Sequence, residues 1–216
     1  MEHYASEQEQ VEAVKRWWKE NGKALIFGLV VGIGGLAGYR YWDNLETSRA
    51  ENASITYERF LAMVEARRSE DAIKTGEAIL DAYADSAYAR LSALLLAKMA
   101  VEGGDYARAK ELLEPLADSA GESELRAVAN MRLARILLAE GDADAAAARL
   151  DAVPGIDGEE PYPELRGDVL VARGKQDEAR SFYREALTRA AEIGLERGAI
   201  QLKLDNLAAA GPADES

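Results

Sequence analysis

The chain has no cysteine and a single histidine, His3, among its 216 residues. Disulfides, thiol nucleophiles and cysteine-ligated zinc are thereby excluded, and one histidine in an N-terminal tail leaves little room for histidine-based acid–base catalysis. Proline is scarce at 5 residues and aromatics make up only 7%. Ala, Leu, Glu and Arg crowd the chain instead. These residues lose little rotamer freedom in a helix, so the expected fold class is all-α. Basic residues are in deficit, 26 against 39 acids, for a formal net charge of -13. Residues 1–42 hold five of each sign, so the whole excess lies beyond them. An acidic body repels phosphate backbones and cannot release their counterions, which argues against nucleic-acid partners; a solvated acidic surface that aids solubility accounts for it.

Charge is also missing from Ala24 to Tyr39, ALIFGLVVGIGGLAGY, between Lys23 and Arg40. A helix needs roughly 20 residues to cross a bilayer, and the snorkelling flanks Lys23 and Arg40 bring this one to that length. Trp17 and Trp18 on one side and Tyr39, Tyr41 and Trp42 on the other sit where interfacial aromatics belong. Five glycines at 28, 32, 34, 35 and 38 argue against a buried soluble helix, since each costs about 0.5–1 kcal/mol in a helix in water. The 23 mostly polar residues in front do not suit a cleaved signal peptide. The GxGxxA pattern from Gly32 to Ala37 lacks the strand and helix context of a dinucleotide site. Lys15, Arg16, Lys19 and Lys23 precede the span and only Arg40 and Arg49 follow closely, so the positive-inside rule puts the N-terminus in the cytoplasm. The expected organisation is a cytoplasmic segment at 1–23, a transmembrane helix at 24–42 and a body across the membrane at 43–216. Gly28, Gly32, Gly35 and Gly38 fall within one helical arc, and Gly28/Gly32 and Gly34/Gly38 are GxxxG spacings, a face on which another helix can pack. Val11, Val14 and Trp18 beside Lys15, Arg16 and Lys19 suggest an interfacial helix on the inner leaflet.

In the body one signature recurs: Gly104-Asp105 with Ala109 and Leu113, Gly141-Asp142 with Ala146 and Leu150, Gly174-Lys175 with Ala179 and Tyr183. The glycine ends one helix, the alanine five residues on admits a close neighbour, and the large side chain one turn later fills the groove beside it. Spacings of 37 and 33 residues bracket the 34 of tetratricopeptide repeats (TPRs), so the expected architecture is a TPR-like α-solenoid of helix pairs rather than an irregular bundle. A degraded unit is expected from Thr56 to Tyr83, with Ser69 as N-cap and Ala72 in the alanine position, and a capping helix from Leu195 to Ala209. Pro154 to Gly158 and Pro161-Tyr162-Pro163 form the longest break, expected as a surface loop.

Chemistry-bearing groups are sparse. The acid pairs Glu77/Asp81, Glu111/Glu114 and Asp157/Glu159/Glu160 have no base, nucleophile or oxyanion partner in the pattern, and the Asp157–Glu160 loop lacks EF-hand spacing. No catalytic, cofactor or metal residue is assigned. Tyr83, Tyr88, Tyr106, Tyr162, Phe182 and Tyr183 read as repeat core. Arg126, Arg132 and Arg135 share one helix and either face a groove that holds acidic peptides or are solvated beside Glu122 or Glu124.

The block EQVEAVKRWWKENGK from Glu9 to Lys23, followed by a glycine-rich span that closes on Gly38-Tyr39-Arg40-Tyr41-Trp42, resembles the YfgM-type ancillary subunits of the SecYEG translocon. The resemblance covers the chain in order, with the repeats matching only in pattern. It implies an inner-membrane protein with a periplasmic TPR-like domain, a membrane-anchored periplasmic chaperone of the PpiD type as partner, and a part in passing translocated chains to the periplasmic chaperone network. It also implies a regulatory role, sequestering a cytoplasmic stress-response protein. A tethered repeat domain that binds extended segments suits either role without enzymatic chemistry, and a scaffold for another envelope complex is the rival expectation.

Overall fold

The computed structural model describes residues 7–119, 123–153 and 160–209, and among them there are helices and turns but no strand. The loop expected at Pro154–Gly158, the acids Asp157 and Glu159, Glu122 and His3 lie outside the described residues. The chain divides into two units, the first ending at Glu58 and the second beginning at Arg59.

Nine helices follow one another among the described residues: α1 Glu7–Glu65, α2 Ser69–Ala82, α3 Ala87–Glu102, α4 Tyr106–Ala117, α5 Ser123–Ala139, α6 Ala143–Asp151, α7 Pro163–Ala172, α8 Gln176–Glu192 and α9 Gly198–Ala209. Within the second unit each helix from α2 onward packs on the next, and α5 also reaches α7. Stacking dominated by sequence neighbours, with contact between first helices of successive pairs, is the arrangement of a solenoid of helix pairs.

One turn recurs between the two helices of each pair, and again between α8 and α9. Gly104 has φ +78, and its N–H donates to the Val101 carbonyl at 3.0 Å while Asp105 N–H reaches the Ala100 carbonyl at 2.8 Å. Gly141, Gly174 and Gly194 repeat this Schellman geometry with φ of 86, 75 and 69. The left-handed residue is free of strain only without a Cβ, which is why the glycines mark the turns. Asp105 and Asp142 then open the following helix, each side chain accepting from a backbone N–H at 2.9 Å.

A further copy of the turn has no glycine. Arg67 takes φ 56, its N–H donating to the Val64 carbonyl and that of Arg68 to the Met63 carbonyl. Arg68, not Ser69, is therefore the N-cap of α2, and Ser69 is its first helical residue. The Asp position is here a base, which pairs instead with Asp71 at 2.7 Å. An L residue in this region carries strain of about 1 kcal/mol or more, so Arg67→Gly is expected to stabilise the protein by about 0.5–1 kcal/mol. Thermal melting checks this; an unchanged or lower Tm would show that Arg67 bears no strain.

Ala72, Ala109, Ala146 and Ala179 stand five residues after Arg67, Gly104, Gly141 and Gly174, and all four are fully buried. Leu113, Leu150 and Tyr183 follow one turn on and are buried too. In the first pair that place belongs to Gly76, where an added Cβ would lie 2.9 Å from Leu96 Cδ2. Leu96, entering from α3, fills the room. Ala97, Ala134 and Gly167, seven residues before Gly104, Gly141 and Gly174, are also buried, so the first helix of each of these pairs places a small residue in the core. At Gly167 the approach is closest, with a Cβ there 2.5 Å from Tyr183 Cε1.

Two boundaries differ from expectation. Pro163 belongs to α7 as its first residue, a position where the missing N–H costs nothing. The terminal helix starts at Gly198 rather than Leu195, because Gly194 ends α8 with another Schellman turn and Leu195 N–H is spent on the Ala190 carbonyl.

Candidate functional site

In the first unit α1 contains the one stretch among the described residues that is long and apolar enough to cross a membrane, and none of it is buried. Leu25, Ile26, Phe27, Leu29, Val30, Val31, Ile33 and Leu36 are each half or more exposed, on all sides of the helix. Each would cost about 1.5–3 kcal/mol in water, so a hydrocarbon environment is the medium this surface suits. At Gly28, Gly32, Gly34, Gly35 and Gly38 a Cβ would meet nothing within 4 Å, leaving that face open. Trp17, Trp18, Tyr41 and Trp42 are exposed at the two ends, as are Lys23 and Arg40. Trp18 lies over Gly22, where a Cβ would sit 3.2 Å from the indole, and Asn21 donates to the Trp17 carbonyl at 3.1 Å.

In the second unit two clefts compete. One, of about 420 Å³, is lined by Ile73, Glu77, Leu96, Met99, Arg108 and Leu112 among others. Its charge is internally spent, since Arg108 bridges Glu77 at 3.1 Å and Glu111 at 3.0 Å. Glu77 and Glu111 are therefore ion-pair partners of one arginine.

The other cleft, of about 390 Å³, lies between the first helices of successive pairs. Arg135, Leu138 and Ala139 of α5, Glu164, Leu165 and Asp168 of α7, and Lys203 of α9 line it. Lys203 reaches both Glu164 and Asp168 at 2.7 Å, and the Tyr183 hydroxyl donates to Asp168 at 2.8 Å. Burial, the bond to Asp168 and the nearby Asp168 and Glu164 charges push the Tyr183 hydroxyl pKa well up. For Lys203 burial works downward, and the bonds to Asp168 and Glu164 outweigh it, so the ammonium is held above its usual range. Both groups are thus fixed in their protonated forms, and α9 is tied across the cleft.

The three arginines of α5 separate. Arg135 lines the cleft; Arg126, nine residues or two and a half turns earlier, falls on the opposite face of the helix by the 3.6-residue period. Arg132 is partly buried and donates to the Leu94 carbonyl of α3 at 2.6 Å. Burial, and then the neighbouring Arg135 charge, lower its pKa. No ion pair joins any of them to Glu124. Of the six aromatics expected in the core only Tyr183 is fully buried, while Tyr83, Tyr88, Tyr106, Tyr162 and Phe182 are half-buried. Asn130, missed in the sequence, is 1% exposed and donates to the Ala117 carbonyl at 3.3 Å, capping the end of α4 from α5. An asparagine in an otherwise alanine- and leucine-rich helix was the available signal.

Comparison with known proteins gives a consistent answer. The tetratricopeptide repeat-like domain family matches residues 15–209. A protein of Escherichia coli strain K12 named as an ancillary SecYEG translocon subunit is 36% identical over 208 residues, which is 96% of this chain and 99% of that protein. Proteins of the same name from Haemophilus influenzae and Aggregatibacter actinomycetemcomitans are 29% and 30% identical, each over 96% of this chain and 100% of their own length. No solved structure matches.

Proposed function

Because the chain belongs to the family of ancillary SecYEG translocon subunits, we propose that it works beside that translocon as a membrane-tethered, non-catalytic binding protein. The observation that carries this reading is the union in one chain of an unburied apolar helix and a helix-pair domain, aligned end to end with relatives of that name. Residues 24–42 of α1 serve as the span, with Trp17, Trp18, Lys23, Arg40, Tyr41 and Trp42 at its two interfaces. The excess of Lys and Arg before the span favours a cytoplasmic segment at 1–23 and a periplasmic repeat domain at 43–216 in the inner membrane. The open glycine face from Gly28 to Gly38 is where a transmembrane helix of the translocon would approach closely. The repeat domain receives translocating polypeptides and a membrane-anchored chaperone of the PpiD type, passing chains to the periplasmic chaperone network.

The test is crosslinking in intact cells followed by mild-detergent purification of the full-length protein beside a version whose span is replaced by an unrelated one. SecY and a periplasmic chaperone are expected with the native span, and SecY alone is expected to be lost with the replacement. Capture of envelope-assembly proteins or of a cytoplasmic regulator without SecY would replace the translocon reading with a scaffold or sequestration role.

A further inference from the structure

We propose that the cleft between α5, α7 and α9 takes extended polypeptide segments that present a carboxylate beside apolar side chains, and that Arg135 is the group that pairs the carboxylate. This deepens the reading above and rests on it, since it assumes that the repeat domain binds polypeptide.

Charge is the first argument. Lys203 on one side of the cleft is more than balanced by Glu164 and Asp168 at 2.7 Å each. Arg135 on the other is exposed and has no ion pair among the described residues. Arg132, three residues earlier, spends its hydrogen bond on a backbone carbonyl and brings a further positive charge with no acid to meet it. The lining itself, Arg135 and Lys203 against Glu164 and Asp168, balances, and Arg132 close behind Arg135 tips the α5 side to positive, inside a chain whose net charge is -13. The distant acids matter little at that point, because the Debye length at physiological salt is about 8 Å. A single carboxylate closes the local account. A lysine or arginine side chain would meet Arg135 as a like charge.

Shape and polarity supply the second argument. Leu138 and Leu165 give the cleft an apolar wall beside the guanidinium, and a volume of about 390 Å³ accommodates a few side chains of an extended segment. Arginine offers a planar fork of donors to a carboxylate, so an acid flanked by leucine-like residues satisfies wall and charge together.

The probe is a fluorescein-labelled octapeptide of alternating leucine and glutamate, compared with glutamine and lysine versions, titrated by anisotropy against the full-length protein in detergent. The glutamate peptide is expected to bind about three- to tenfold more tightly than the glutamine one, in line with a partly exposed ion pair, and the lysine peptide most weakly. Arg135→Gln is expected to make the glutamate and glutamine peptides equal without moving the Tm, and Arg135→Lys to keep part of the preference. Equal binding of the three peptides, no binding of any, or a preference that survives Arg135→Gln overturns the proposal. The same preparations, crosslinked to SecY, separate the two readings. SecY capture without peptide preference removes only this inference, whereas preference without SecY capture removes the translocon reading and leaves the chemistry of the cleft standing.

Discussion

Ala146→Arg is expected to lower the Tm of the full-length protein by on the order of 10 °C. Ala146 is fully buried where α6 meets α5 and α7, among Ala134, Leu150, Leu165 and Val169. An arginine there has neither room nor a partner. Overpacking a filled contact costs about 1–3 kcal/mol, and burying an unpaired charge adds more, so the total exceeds about 4 kcal/mol. For a chain of this length each kcal/mol shifts the Tm by about 2–4 °C. Ala148→Arg, on the exposed side of the same helix, is the control, expected to change stability by no more than about 0.5 kcal/mol. Similar melting of the two variants would show that the α5–α6 contact is not the close one described.

Tyr183→Ala is expected to cost about 3–5 kcal/mol, the range for a large buried ring. Its ring fills the notch left by Gly167 and joins the cluster of Leu170, Ala179, Ala186, Ala190, Ile200 and Leu207, so its removal opens a cavity across α7, α8 and α9. Two further variants resolve the loss. Gly167→Ala alone destabilises by about 1–3 kcal/mol through the clash with the ring. In the Tyr183→Ala background the same change becomes neutral or stabilising, because the clash is gone and alanine is the better helix former by about 1 kcal/mol. Tyr183→Phe keeps the ring and loses only the bond to Asp168. Folding raises the pKa of both Tyr183 and Lys203, so their contribution is complete below about pH 10.0 and 10.5, their unfolded values, and is lost as pH rises through the folded ones. Alkaline melting curves should therefore fall less steeply for Tyr183→Phe than for the parent protein. Additive effects of Gly167→Ala and Tyr183→Ala would deny the contact.

What the sequence makes legible follows from which residues have a single physical reason to be where they are. Gly104, Gly141 and Gly174 stand out because a left-handed turn excludes a Cβ, and the alanine and large residue behind them then fall at fixed offsets. Arg67 makes the same turn through the same two backbone bonds without glycine, so the first pair shows only faintly. Ala97 and Ala134 give no contrast in helices full of alanine, although they do the same packing work as Gly167. In the cleft the 3.6-residue period separates Arg126 from Arg135, but which of them lines it is decided by the packing of α7 and α9 against α5, and that is tertiary information. Apolar residues 25–36 are plain from composition because an uninterrupted apolar run shows without reference to any partner within the chain.

The stacking of each helix on its sequence neighbours bears on how the domain responds to a mechanical load. A tension applied at the Ala209 end meets α9 first, held by the Lys203 bridges and by Arg180 donating to the Leu207 carbonyl at 2.7 Å. Those contacts yield before α3 and α4 feel the strain, so the domain gives way by peeling one helix at a time from that end and rewinds by the reverse path.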